Sequence, residues 1–223
     1  MPRFVVLSDT HNQHEEVAVP DGDVVVHAGD ALIHGTYGEL DMFLKWFRKL
    51  PHKHKVYVPG NHDGEVESMG VEVSKRVCNS HQIHLLVNKA VTLEGVKIFG
   101  APWSRMRDSV LRRPERRGKH SAFAVHPDLI HEQWSAIPTD LDLLVTHVPP
   151  ADVLDRVSDG TRIGCRKLLD RVLETTPRYH VFGHVHETQG GRSMSVSGKT
   201  SWHNVAICDR YYLPVGIPTI IDF

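Results

Sequence analysis

Short, wholly apolar runs alternate along this chain with amphipathic stretches of helical period. Phe4–Leu7, Asp23–His27 and Lys55–Val58 read as buried strands, and each runs straight into a polar cluster. Between the last two, Thr36-Tyr37-Gly38-Glu39 has the form of a capping box. Leu40, Phe43, Leu44, Phe47 and Leu50 follow at helical spacing until Pro51 stops the helix. A strand, a helix and a strand in this order imply a parallel pair with a right-handed crossover. Further strands are predicted at Ile83–Val87, Ala90–Leu93, Val96–Gly100, Leu141–Thr146 and Tyr179–Gly183, then near Trp202–Ile207 and Ile217–Asp222. A helix over Arg166–Glu174 presents Leu168, Leu169, Val172 and Leu173 on one face. So many strands with so few helices predict an α/β protein of two packed mixed β-sheets flanked by helices, an αββα sandwich. Nothing in the chain resembles a linker, so residues 1–223 are read as a single domain.

Composition changes this picture mainly through histidine. The 17 His outnumber the 7 Phe and 5 Tyr together, which raises the expectation of a metal site. His52, His54, His81 and His84 lie in polar stretches and are expected simply to face solvent. A formal net charge of −1 provides no global field to recruit duplex nucleic acid or an acidic membrane. Cys78, Cys165 and Cys208 are odd in number and widely spaced, which points away from a disulfide framework and a thiolate zinc site and toward a reducing compartment. The apolar run at the N-terminus is too short for a signal-peptide core, and no stretch approaches the roughly 18 apolar residues of a membrane span. A soluble cytoplasmic protein is expected. Arg105–Lys119, rich in arginine, reads as a solvated loop or as a flap that draws in an anionic substrate. Ile217, Ile220, Ile221 and Phe223 read as a core strand, with an interface as the alternative; oligomeric state stays open.

Five polar clusters fall at or just after predicted strand ends: Asp9-Thr10-His11, Gly29-Asp30, Gly60-Asn61-His62-Asp63, Thr146-His147 and Gly183-His184-Val185-His186. In α/β sheets, ligands bind beyond the carboxyl ends of the strands, so these clusters could converge there. Singly each has a bland reading. Asp30 could cap a helix, Pro59-Gly60-Asn61 could be a turn, and His147 before Pro149-Pro150 could be an ordinary loop histidine. Together the oxygen and imidazole donors form a set that suits Mn, Fe, Zn, Ni or Co. A cation at their meeting point would also offset the burial of so many polar groups. On a strand, His184 and His186 would point the same way and could serve neighbouring metals.

The ordered motifs D-x-H, G-D, G-N-H-D, T-H and G-H-x-H, spanning residues 9–186, resemble those of the calcineurin-like metallophosphoesterase superfamily. The similarity is closest to the metallophosphoesterase-domain-containing branch related to class III cyclic-nucleotide phosphodiesterases. It shows in Ser8-Asp9-Thr10-His11, His27-Ala28-Gly29-Asp30, Thr146-His147-Val148-Pro149-Pro150, Arg162-Ile163-Gly164-Cys165 and the stretch from His180 to Glu187. The resemblance implies the calcineurin-like phosphoesterase fold and two divalent metal ions, with manganese favoured. By it, Asp9, His11 and His186 hold one metal, Asn61, His147 and His184 hold the other, and Asp30 bridges them. A carboxylate between two cations roughly 3.5–4 Å apart offsets their repulsion. A hydroxide shared by the metals is then expected to attack phosphorus. The pattern makes His62 the group that assists the leaving oxygen, with Asp63 orienting its ring. Asn61, His62, Asn12 and His14 are the expected substrate contacts.

The implied activity is hydrolysis of a phosphodiester or phosphomonoester, with a small nucleotide-type substrate favoured by the branch. A phosphoprotein phosphatase or nuclease could use the same site, as could a non-catalytic metal-dependent binding module. A pure binder has no need of His62 and Asp63.

Overall fold

The computed structural model describes residues 1–112 and 120–223. Along the chain the strands are β1 (Arg3–Leu7), β2 (Val24–His27), β3 (His54–Tyr57), β4 (His84–Leu85), β5 (Lys89–Leu93) and β6 (Val96–Ala101). They continue with β7 (Ser104–Arg105), β8 (Ala124–Val125), β9 (Leu143–Thr146), β10 (Tyr179–Phe182), β11 (Arg192–Met194), β12 (Ser201–Asn204) and β13 (Thr219–Asp222). The helices are α1 (Tyr37–Lys49), α2 (Gly64–Ser68), α3 (Val71–Ser80), α4 (Asp108–Arg112), α5 (Ile130–Ser135) and α6 (Arg166–Thr175).

Alternation along the strands decides the layering, because successive side chains leave a strand on opposite faces. Phe4 and Val6 of β1, with Val24 and Val26 of β2, pack against Ile98, Leu143, Val145 and Val181 in one buried cluster between the two main sheets. The opposite face, with Val5, Leu7, Val25 and Tyr57, packs on Leu40, Phe43, Leu44 and Phe47 of α1. Phe99, Leu144 and Phe182 cover the far face of the second sheet beneath α5 and α6. The result is the expected αββα sandwich. The first sheet has order β13-β1-β2-β3-β4, parallel except for β13. The second has order β11-β12-β10-β9-β6-β5, with antiparallel strands only at its two edges.

The capping box at Thr36 and Glu39 forms as predicted. Asp23 stays outside β2, where its carboxylate accepts from the Arg3 N–H at 2.7 Å. Helices α2 and α3 present only short apolar faces, Val66 on α2 and Val77 with Cys78 on α3, while Ser74 is buried and Val71 and Val73 stay exposed. His52, expected in solvent, is buried beside residues 20–23. The C-terminal strand is a core strand at a sheet edge: Ile221 is buried and the Phe223 ring lies 4.8 Å from Phe4, while Ile217 and Ile220 stay exposed. Of the basic segment Arg105–Lys119, residues 105–112 form the end of β7, a short link and α4; residues 113–119 lie outside the described residues. All three cysteines are buried and free. Among the described residues no helix is long and apolar enough to cross a membrane.

Two fully buried histidines link the sheets to acid stability. His27 Nε2 meets the Thr10 hydroxyl at 3.0 Å, and His180 Nε2 meets the Thr146 hydroxyl at 2.8 Å. Burial pushes both rings down to about 3. Their folded-state values lie below the unfolded 6.5, so their stabilisation is complete above pH 6.5 and is lost as pH falls toward 3. By pH 5 each is expected to have withdrawn about 2 kcal/mol. Urea unfolding of chelator-treated protein at pH 7.5, 6 and 5 should show this slope, and His180→Gln should flatten it. An unchanged slope in that variant would remove His180 from the account.

Candidate metal centre

The parallel strands β1, β2, β3, β9 and β10 each end at one of the polar clusters, and the carboxyl edges of the two sheets are drawn together there. Ser8 provides the join: its N–H donates to Val205 O at 3.0 Å and its carbonyl accepts from Ile207 N–H at 2.9 Å. The Asp9 N–H donates to Gly29 O at 2.8 Å and the His11 N–H to Asp30 O at 3.1 Å, which locks the first two motifs in register. Asp9, His11, Asp30 and His184 all adopt left-handed φ, between 42° and 67°. Non-glycine residues rarely hold such conformations unless the surroundings enforce them, and they gather at functional sites. The motif glycines answer to space. A Cβ on Gly29 would lie 2.6 Å from His147 Nδ1, one on Gly60 would overlap Asp30 Oδ1, and one on Gly183 would overlap Asp9 Oδ2.

The expected ligands come together in two adjoining groups, and His62 joins His11 and Asp30 in a third that overlaps both. Asp9, His11 and His186 bring one potential ligand atom each within 4.8 Å of one another, and so do Asp30, His147 and His184. Asn61 turns its Oδ1 to His147 Nε2 at 2.9 Å while its Nδ2 donates to His120 O. Asp30 lies between the groups. Its Oδ1 accepts from the His62 N–H at 2.8 Å, and its Oδ2 is 3.3 Å from His147 Nε2 and 3.9 Å from His11 Nε2. His184 and His186 diverge to different groups because the chain has already left β10: the left-handed turn at His184 separates them, not strand geometry.

The donor chemistry tests whether cations fit here. Nδ1 of His11 faces Leu32 O at 3.1 Å, Nδ1 of His186 faces Asp209 O at 2.8 Å, and Nδ1 of His147 faces Ala28 O at 3.1 Å. A carbonyl only accepts, so in each ring Nδ1 carries the proton and, in the neutral form, Nε2 keeps its lone pair. Anchoring by a carbonyl is also the usual support behind a metal-bound histidine. The His11 and His186 Nε2 atoms then face each other across 3.3 Å with no hydrogen between them. Around His147 Nε2 the neighbours are Asn61 Oδ1, Asp30 Oδ2 and His184 Nδ1 at 3.2 Å. Acceptors facing acceptors in a buried space need positive charge between them, and a pair of divalent cations fits.

Electrostatics agree. Burial pushes His11 down to about 4 and His184 to about 3, so both rings are neutral and available as ligands at pH 7. Burial also opposes charge on His147, but the Asp30 carboxylate outweighs it and carries that ring up to about 9. A proton on His147 thus occupies the place a cation would take, and metal binding should release it. Burial disfavours charge on Asp9 and Asp30 too, yet the surrounding histidines hold both carboxyls below the usual range, Asp30 well below.

Other expected roles need correction. Asp63 does not orient the His62 ring: the His62 Nδ1–H donates to Ile33 O at 2.9 Å. The Asp63 carboxylate is wholly buried and accepts the N–H groups of Gly60 (2.6 Å), Asp30 (2.9 Å) and Leu32 (3.1 Å), bracing the two loops that carry Asp30 and Asn61. Burial, then the nearby Asp30, pushes it up to about 7. Asn12 and His14 turn toward α1: Asn12 Nδ2 donates to Glu39 of the capping box at 2.6 Å, and the His14 ring packs 4.9 Å from Trp46. His62 does belong, with Nε2 4.0 Å from Asp30 Oδ2. Sequence reasoning missed His120, whose ring lies 4.0 Å from that of His62, and Tyr212, whose ring lies 4.6 Å from that of His11. Neither sits in a motif that could have flagged it.

Comparison with known proteins agrees with this geometry. The family model described as calcineurin-like phosphoesterase matches residues 2–188, and the chain belongs to that family. A UPF0046 protein of Caenorhabditis elegans is 36% identical over 242 residues, covering 99% of this chain and 80% of the relative. The human metallophosphoesterase domain-containing protein 1 is 33% identical over 242 residues, covering 99% and 70%. The crystal structure of a phosphopantetheinyl hydrolase from Mycobacterium tuberculosis superposes with a TM-score of 0.66 at 14% identity, covering 95% of this chain and 91% of that one, which shows the shared fold.

Proposed function

We propose that the protein is a binuclear-metal phosphoester hydrolase acting on a small, nucleotide-type phosphodiester or phosphomonoester. The observation that carries this reading is the two-centred set of inward lone pairs sharing Asp30, with His62 Nε2 turned toward the same carboxylate. Asp9, His11 and His186 would hold one ion, Asn61, His147 and His184 the other, and Asp30 both. Two divalent cations, with manganese the favoured choice, supply Lewis-acid activation of the phosphoryl group and of the attacking water. The chain's own contribution is placement. Ile33 O accepts from Nδ1–H and keeps the His62 ring oriented, so the imidazolium form would present Nε2–H to the departing oxygen and return to neutral imidazole on giving up that proton. A cavity of about 740 Å³ opens beside Asn61, His120 and His184, with Arg107, Arg162 and Ile163 in its walls. That volume suits a small organic leaving group, and Arg107 suits an anion, whereas Arg162 is already paired with Asp155 at 2.7 Å.

The test is turnover of bis-p-nitrophenyl phosphate and of cyclic nucleotides, linear dinucleotides, nucleoside monophosphates and phosphopeptides, with Mn, Ni, Co, Fe or Zn supplied. His62→Ala should keep both ions, by elemental analysis, and lose about 100-fold in kcat. Wild-type rates in that variant would remove His62 from the chemistry. A wild type inert with every metal would favour a binding module.

A further inference from the structure

Beyond the last motif the chain returns to the centre once more. Residues 208–214 form a tight turn in which Asp209 is the hub. The Asp209 side chain accepts the N–H of Tyr211 at 2.8 Å and of Leu213 at 3.0 Å, and its carbonyl accepts from Tyr212 N–H at 2.9 Å. The same carbonyl anchors His186 Nδ1. The turn that orients one candidate ligand therefore also sets the position of Tyr212. That ring lies edge-on to His11 at 4.6 Å and 88°, 5.6 Å from His186, and 6.4 Å from His62.

Neither backbone preference nor burial accounts for a tyrosine here. Its φ is 62°, a conformation that glycine adopts without the steric penalty of a side chain, and 41% of the residue is exposed. Besides partial burial, its phenol feels the charges of the Asp30 and Asp9 carboxylates and of Arg107, a wall residue of the neighbouring cavity. We propose that Tyr212 is a substrate-contacting residue, closing the outer side of the Asp9–His11–His186 group and donating its hydroxyl hydrogen to a non-bridging phosphoryl oxygen of the bound ester. The contact is made to the phosphate itself, so it serves inorganic phosphate as well as an ester. This inference rests on the phosphoesterase reading.

The experiment uses full-length, Mn-loaded protein with two probes, inorganic phosphate by calorimetry and bis-p-nitrophenyl phosphate by rate. Tyr212→Phe removes one oxygen and keeps the ring against His11. It should retain wild-type melting temperature and metal content, weaken phosphate binding about tenfold, and raise KM similarly with little change in kcat. Tyr212→Gly, which relieves the left-handed backbone, should lose at least as much affinity. If Tyr212→Phe matches wild type in both probes, the inference is overturned, and impairment confined to Tyr212→Gly would mean that the ring only packs on the histidines. A wild type that neither binds phosphate nor turns over any ester overturns the phosphoesterase reading itself. A wild type that does both while Tyr212→Phe is unimpaired overturns only the role of Tyr212.

Discussion

Replacing Asp63 with alanine is expected to destabilise the protein by about 4 kcal/mol, because three buried N–H groups lose their acceptor at roughly 1–3 kcal/mol each, less what entering water recovers. The donors belong to Gly60, Asp30 and Leu32, on two different loops, so the loss is one of bracing between β2 and β3. Against a total stability of order 5–15 kcal/mol, such a loss is severe. Asp63→Asn keeps one carbonyl oxygen and should fall between wild type and alanine. Urea unfolding of the three proteins measures this, and metal affinity should weaken in parallel as Asp30 and Asn61 lose their mutual register. A variant of undiminished stability that has lost only turnover would restore Asp63 as a partner of the His62 ring.

Removing divalent ions should have an effect of comparable size. Each site bound at a hundredfold excess over its dissociation constant stabilises the native state by about 2.7 kcal/mol, so two sites contribute about 5 kcal/mol. Chelation should therefore lower the thermal midpoint, with Mn restoring it. Without cations, the His11 and His186 Nε2 lone pairs are left opposed across 3.3 Å. The partition of ligands makes a sharper statement: His186→Ala should leave one ion per chain, His147→Ala one, and Asp30→Ala neither, because Asp30 lies between both groups. Elemental analysis after gel filtration reads these ratios. Thermal midpoints indifferent to chelator and metal would sink the metal centre as a whole.

Much of this architecture was legible because its signals are local. Buried strands show as short apolar runs, α1 announces itself by a capping box and a stripe, and polar clusters at strand ends stand out against the apolar residues before them. The signal failed for α3, which buries Ser74 and Cys78, and for α5, whose six residues are too few to show a period although Ile130 and Trp134 are buried. It failed again for His52, whose polar neighbours in sequence gave no sign of its burial.

At the centre the division is finer. The residue types and their order are properties of the chain, and five strand-end clusters of oxygen and imidazole donors were enough to point to a metal site and to a family. Which atom faces which is decided only when two sheets close on each other. Asp63 stands next to His62 in sequence, so it reads as that ring's partner. In space its carboxylate is spent on three backbone N–H groups, and a carbonyl from residue 33 holds the ring instead. Tyr212 lies 201 positions beyond His11 and touches it edge-on. Periodicity and motifs report a residue's relation to its neighbours along the chain. Hydrogen-bond direction, tautomer and ring contact depend on groups brought from elsewhere by packing, and so belong to the tertiary structure.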